Sequence, residues 1–259
     1  MPPPGSLNSE VFLSNLKKFP ATHELLLYSV HDYGEGFIQL KMSPEVLSGA
    51  TFSDGPAKGK VNPFAVHNAA FLPGLKICRE RGITHALYLE CDCRVGREGW
   101  DDVILEEFGK LPKSCIVAGT VVVYNPCNAN LAMALRINRL AAKLPAHGIP
   151  MGCFCGSDRS VPACFFVNGA LAVYDVEALA TFFDLEQQGA MSANNPPFDL
   201  ALGLKLLEKY GEQACDVIGS LSSVLSAYGD VLTTPELRRE LLTSGKVVAA
   251  HQFKDSWQP

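Results

Sequence analysis

Two hydrophobic periods alternate along the chain. Residues 8–19 place Val11, Leu13, Leu16 and Phe19 at helical spacing and predict a short amphipathic helix. The run HELLLYSV at 23–30 predicts a buried strand that ends in the loop His31-Asp32-Tyr33-Gly34. Residues 43–62 hold Gly49, Gly55, Pro56 and Gly59 ahead of Pro63 and predict a long loop, a kind of segment that is often functional in a compact domain. A helix is expected from about 63 to 81, stopped by Gly82. A second buried strand over 84–89 runs straight into Glu90-Cys91-Asp92-Cys93-Arg94.

The pattern continues with a helix over 98–108 ended by Gly109, a β-branched strand over 115–124 and an Ala- and Leu-rich helix over 128–144. A loop over 145–162 leads to a strand over 165–174 and a helix over 176–183. After a loop at 189–197, Pro196-Pro197 open a helix over 198–210. Residues 217–228 fit strand or helix equally well; 235–243 predict a helix, and 246–250 a last strand leading to His251-Gln252-Phe253-Lys254. Strands alternating with helices predict an α/β chain, an α/β/α sandwich with a mostly parallel central sheet. Ligands of such sheets bind at the carboxyl ends of the strands. Three polar clusters fall at strand ends, His31-Asp32, Glu90-x-Asp92 and His251-x-x-Lys254, and are expected to share one edge.

Composition narrows the classes. At 259 residues, 47% hydrophobic and 19% charged, the chain can build a full core and spans between one and two domains on length alone. The net charge of -5 counts against a nucleic-acid surface but not against a local site for a small anion. No basic segment followed by an apolar run opens the chain, and no stretch approaches the roughly 18 apolar residues of a membrane span. A soluble, cytoplasmic protein without a transmembrane segment is expected. Several of the nine cysteines lie in apolar runs and read as reduced thiols. The pairs Cys91/Cys93 and Cys153/Cys155 are spaced C-x-C, whereas zinc sites favour longer spacings, so zinc is disfavoured.

Glu90 and Asp92 are the most informative pair. In an extended chain they share one face, with Cys91 and Cys93 on the other. Converging carboxylates repel each other, and a divalent cation relieves that repulsion. Mg2+ and Mn2+ take carboxylate oxygens and also bridge substrate phosphates. The competing reading is a strand end where solvated acids are simply tolerated.

From here the sequence resembles a family. The run NPFAVHNAAFLPGLKICRERGITHALYLECDCRVGREGW is similar to the donor half of GT-A-type glycosyltransferases: a helix with Asn and Ala, a Gly, then an apolar strand ending in an acidic DxD-type motif. That motif holds a divalent cation on the diphosphate of a nucleotide sugar. Here it is Glu90-Cys91-Asp92, with Glu in first place, so the resemblance implies Asp92 as the direct metal ligand and Glu90 as a donor contact through water or ribose. Phe166-Val167-Asn168-Gly169-Ala170, followed by Tyr174, resembles the acceptor-side strand, where Asn168 and Gly169 would approach the sugar. Phe198-Asp199 resembles the position of the general base in inverting members. His251-x-x-Lys254 resembles the C-terminal segment that adds a histidine ligand for the metal and a lysine for the diphosphate. The resemblance covers roughly residues 23–254 and rests on the order and spacing of the motifs. It implies a single GT-A-like domain over 1–259, with a donor half at about 20–125 and an acceptor half at about 126–259.

Each candidate has a structural competitor. Asp199 is also a favourable first-turn helix acid, and His251 a polar strand cap. Lys254 neutralises a leaving diphosphate or is an exposed lysine. Lys58 and Lys60 lie in a Gly-rich loop able to cradle a phosphate, though no Walker A pattern exists. Asn68 on the next helix contacts the donor or packs the helix. Arg94 neutralises the acid pair or touches a sugar hydroxyl. Trp100 anchors the core or stacks on a sugar. His31 and Asp32 meet the nucleoside, or Asp32 is a turn acid before Gly34. The expected function is a Mn2+- or Mg2+-dependent glycosyltransferase acting between a nucleotide-diphosphate sugar and a carbohydrate or other hydroxyl acceptor. Two alternatives stand beside it. One is a sugar-nucleotide nucleotidylyltransferase, whose basic Gly-rich loop residues 29–34 do not match. The other is a non-catalytic nucleotide-binding or scaffold protein of the same fold.

Overall fold

The computed structural model describes residues 7–29, 32–39, 63–126, 152–156, 164–182, 198–227 and 235–251. In chain order they form α1 (Leu7–Lys18), β1 (Tyr28–Ser29), β2 (Ile38–Gln39), α2 (Pro63–Glu80), β3 (His85–Leu89) and β4 (Cys93–Val95). Next come α3 (Trp100–Gly109), β5 (Val117–Pro126), β6 (Gly152–Gly156), β7 (Cys164–Asp175), α4 (Val176–Ala180) and α5 (Phe198–Tyr210). A 3-10 helix (Gly211–Asp216), β8 (Ile218–Ser220), β9 (Leu225–Ser226), α6 (Pro235–Thr243) and β10 (Ala249–His251) complete them. No helix among the described residues is long and apolar enough to cross a membrane.

Local chemistry explains most helix boundaries. Gly82 takes φ 70 and ends α2 with paired bonds, Gly82 N–H to the Arg79 carbonyl at 3.0 Å and Ile83 N–H to that of Cys78 at 2.9 Å. α3 starts after Gly99 at φ 64, with Asp101 and Asp102 in its first turn, where the helix dipole favours acids. Asp175 ends β7 and caps α4 at once, its carboxylate accepting the Ala178 N–H at 2.8 Å.

The central sheet runs β3-β7-β5-β6. β7 is antiparallel to both β3 and β5. β6 and β8 both run parallel to β5, β8 beside its first residues and β6 beside its last. The chain is thus α/β as expected, but the sheet is mixed rather than mostly parallel. Alternation of strands and helices implies parallel strands only when each connection crosses back over the same sheet. Here β4 leaves for a second sheet, ordered β4-β10-β9, and β7 enters between β3 and β5 from the opposite direction. The strand expected over 23–30 is reduced to Tyr28–Ser29, and the undecided 217–228 holds, over its described residues, two short strands, β8 and β9, that follow the 3-10 helix. β6 lies inside the expected loop 145–162, its Gly-rich sequence hiding a strand that β5 stabilises by pairing. The helix expected over 128–144 and the loops at 43–62 and 189–197 lie outside the described residues.

β7 sorts its side chains with a two-residue period into two cores. Ala172 and Tyr174 face Phe71, Leu72 and Leu75 of α2 and Phe198, Leu202 and Leu206 of α5. Leu171 and Val173 face Phe12 and Leu16 of α1, Trp100 and Ile104 of α3, and Val95 and Ala249 of the second sheet. Each Val, Leu, Ile or Phe among them contributes on the order of 1.5–3 kcal/mol when fully buried. In the first core the Phe71 and Phe198 rings stack at 3.9 Å with planes 11° apart, fastening α5 to α2.

The strands β5 and β7 do not match residue for residue. From Gly119 to Val121, β5 advances two residues while β7 runs from Ala172 to Val167, so residues 168–170 arch out of the ladder. Gly119 sits where the arch begins. A Cβ there would lie 2.7 Å from Val167 Cγ1 and 2.9 Å from the Leu171 carbonyl oxygen. Gly119→Ala is therefore expected to cost about 1–3 kcal/mol in urea unfolding. A loss below about 0.5 kcal/mol would show that the two strands spread freely and that this fit is not tight.

Candidate functional site

β3 delivers the acidic pair to the end of the central sheet, and the chain then turns. The Cys93 N–H donates to the Glu90 carbonyl at 3.0 Å, closing a turn over residues 90–93, and the Glu90 N–H donates to the Ala170 carbonyl at 2.9 Å. The expectation of an extended chain with both acids on one face is thus corrected. The acids do converge, but through the turn. β10 pairs antiparallel with β4 and sets His251 opposite Cys93. One ligand atom each of Glu90, Asp92 and His251 then lies within 4.8 Å of the other two. His251 Nε2 is 3.2 Å from Asp92 Oδ2, with the imidazole buried and both carboxylates half-buried.

Arg94, the first residue after the turn-closing Cys93, is buried, and its Nη1 donates to the carbonyls of Cys91 at 3.0 Å and Cys93 at 2.6 Å. Burial pushes its pKa down, while the neighbouring Asp92 charge acts in the opposite sense. This nitrogen braces the turn, a role beyond the two expected of Arg94, neutralising the acid pair or touching a sugar hydroxyl. The two thiols of the turn are poor ligands in this setting. Burial, then the Asp92 charge, pushes the Cys91 thiol up to about 12. The Cys93 thiol is pushed well above its ordinary value by the same causes and donates its S–H to the Ala170 carbonyl at 3.2 Å. Both favour the protonated form, which is neither a metal ligand nor a nucleophile.

The arch of β7 forms the other wall. Asn168 Oδ1 accepts the Ala170 N–H at 3.0 Å, shaping the arch from within. The Gly169 N–H donates to Asp199 Oδ2 at 3.0 Å, and the Leu200 N–H to Asp199 Oδ1 at 2.8 Å. Gly169 has no space for a side chain: a Cβ would meet Phe198 Cζ at 2.6 Å and Asp199 Cβ at 2.9 Å. A continuous path therefore links the first turn of α5, the arch and the acidic turn, through the Asp199–Gly169 and Ala170–Glu90 bonds.

The remaining candidates scatter. Trp100 is 1% exposed and its Nε1–H donates to the Phe19 carbonyl at 3.2 Å, so it anchors the core and its ring is closed to a sugar. Asp32 is exposed and accepts the Gly34 N–H at 2.8 Å, the local turn its spacing to Gly34 favours. Asn68 lies on α2, its side chain outside the described residues, as are His31, Lys58, Lys60 and Lys254. Two roles had no clear sequence signal, the Arg94 brace and the Ala170 carbonyl that receives both Glu90 and Cys93. Asp101 stands in the first turn of α3. It is buried and accepts the Thr22 and His23 N–H groups at 3.0 and 2.7 Å, tying the segment after α1 to α3. Burial acts to raise its pKa, but these bonds outweigh it and the carboxyl is held below its ordinary range. A cavity of about 450 Å3 lies beside β3, lined among others by Leu25, Leu27, Leu87, Tyr88 and Glu90.

No protein-family model and no curated protein matches the chain. Among solved structures, the crystal structure of mouse Xyloside xylosyltransferase 1 in its apo form is similar, with a TM-score of 0.40 and 14% identity over 97% of this chain and 93% of that one. At this level of likeness, the functional reading rests on the site itself.

The thiol environment is directly measurable. Cys91 and Cys93 are expected to resist alkylation at pH 8 in the native protein and to label fully in denaturant, by mass spectrometry of the modified peptides. Rapid native labelling of either would contradict the burial described.

Proposed function

We propose that the chain is a divalent-cation-dependent glycosyltransferase that moves a sugar from a nucleotide-diphosphate donor to a hydroxyl acceptor. The carrying observation is the convergence of Glu90, Asp92 and His251 within 4.8 Å at the end of β3. The donor set fits such an ion. Two carboxylates suit Mg2+ or Mn2+, and one imidazole shifts the preference toward Mn2+. Asp92 and His251 would hold the ion, with Glu90 in direct or water-mediated contact. When bound, the ion supplies positive charge to the diphosphate that leaves the sugar.

The rest of the reading concerns the chain's own groups, within one GT-A-like domain with a donor half at about 20–125 and an acceptor half at about 126–259. The cavity beside β3 reaches Glu90 and falls in the size range of small-ligand sites, so it suits the nucleoside end of the donor. Lys254, with Lys58 and Lys60, would add charge for the phosphates, and the arch at Asn168 and Gly169 would meet the sugar. Asp199 would be the base. The acceptor oxygen bonds to the anomeric carbon, the bond from that carbon to the diphosphate oxygen breaks, and Asp199 takes the acceptor proton. The Gly169 N–H on Asp199 Oδ2 and the Leu200 N–H on Asp199 Oδ1 orient this carboxylate at the arch.

The same double engagement favours a second reading, in which Asp199 is a clasp and the chain binds a nucleotide without turning it over. Calorimetric titration with UDP and GDP, with and without Mn2+, addresses the first claim. Nucleotide binding is expected to require Mn2+ and to weaken by about tenfold or more in Asp92→Ala and His251→Ala. Binding indifferent to both Mn2+ and Asp92→Ala would remove the cation from the reading. For the base, Asp199→Asn is expected to lower turnover by about 100-fold or more with donor affinity retained. Unchanged turnover would leave Asp199 as a clasp alone.

A further inference from the structure

The acidic cluster poses a problem that precedes any ligand. Glu90 and Asp92 carry like charges and stand close together, so their repulsion acts to open the turn that joins them. The Cys93 N–H closes the turn on the Glu90 carbonyl. Arg94 adds two more bonds from a single nitrogen, to the Cys91 and Cys93 carbonyls on either side of Asp92. Its own backbone is fixed from the opposite side, because β4 pairs Arg94 with Ala250, the residue before His251. A buried guanidinium is costly to install unless hydrogen-bonded, and these carbonyls supply such bonds.

Resting on the cation reading above, we infer that Arg94 is a positioning residue: it pins the backbone on both sides of Asp92 so that this carboxylate meets His251, and it sets cation affinity without touching the cation. Two effects of opposite sign are at stake. The guanidinium charge beside Asp92 repels a cation, so its loss alone would tighten binding. The pinned backbone pre-forms the ligand pair, so its loss would weaken binding. In a pre-organised site the second effect wins, since supporting residues around metal ligands change affinity by about 10–100-fold.

The two effects separate in one experiment on the full chain. Mn2+ affinity is read from the loss of the free-ion electron paramagnetic resonance signal, for the wild type, Arg94→Met and Arg94→Lys. Lysine keeps the charge but reaches one atom less far toward the carbonyls. Positioning predicts dissociation constants raised about tenfold or more in Arg94→Met and a few-fold in Arg94→Lys. Unchanged or tighter binding in Arg94→Met overturns the inference, even if that variant melts at lower temperature. If circular dichroism shows Arg94→Met unfolded, Arg94→Lys decides, and an unchanged constant there overturns it. A wild-type chain that binds no Mn2+ overturns the cation reading itself, before any variant is compared.

Discussion

The antiparallel pairing of β4 with β10 is the constraint on which the site depends. Asp92 and His251 are 159 residues apart, and this pairing helps bring them to 3.2 Å. Its register also fixes Arg94 against Ala250 and Cys93 against His251. Closing so long a loop costs conformational entropy, though the cost grows only slowly with length. Burial of Val248 and Ala249 in the second core and of Ala250 with Leu242 and Val247, together with the parallel pairing of β10 with β9, offsets that cost. The chemistry is thus tied to packing. A residue that loosens β10 acts on the acidic cluster even if it touches none of its members.

A second constraint acts from the central sheet. β7 carries more residues than β5 across the same stretch, and the surplus becomes the arch at 168–170. Ala170 then accepts from the Glu90 N–H, and Gly169 donates to Asp199. The arch therefore touches the acidic turn on one side and the start of α5 on the other. The tight approach of Phe198 to Gly169, backed by the Phe71 ring, keeps Asp199 on the arch. The acidic turn and the start of α5 are coupled through hydrogen bonds to the backbone of the arch, a stiffer link than contacts between long side chains.

Much of the helical framework was legible in the sequence because its signals are local. Helical spacing marks α1 and α5, Gly82 ends α2, and first-turn acids open α3. Glu90, Asp92 and His251 were also legible, since each follows a short apolar strand. Features set by distant pairing were not. Strand direction depends on where β7 enters, which no window of sequence encodes. The turn at 90–93 is hidden in the sequence because alternation of Glu90, Cys91, Asp92 and Cys93 mimics a strand. Trp100 was ambiguous because a core anchor and a sugar platform have the same side chain, and only its burial separates them. Arg94 showed its charge in the sequence but not its partners, which are backbone carbonyls.

The central claim is that Asp92 and His251 together hold a divalent cation. The most direct measurement is electron spin echo envelope modulation of Mn2+ bound to the full chain, which detects a nitrogen in the ion's coordination sphere. Coupling to one imidazole nitrogen is expected, lost in His251→Ala and retained in a variant of an exposed histidine such as His85→Ala. Mn2+ bound with no nitrogen coupling, or with coupling that survives His251→Ala, would contradict it.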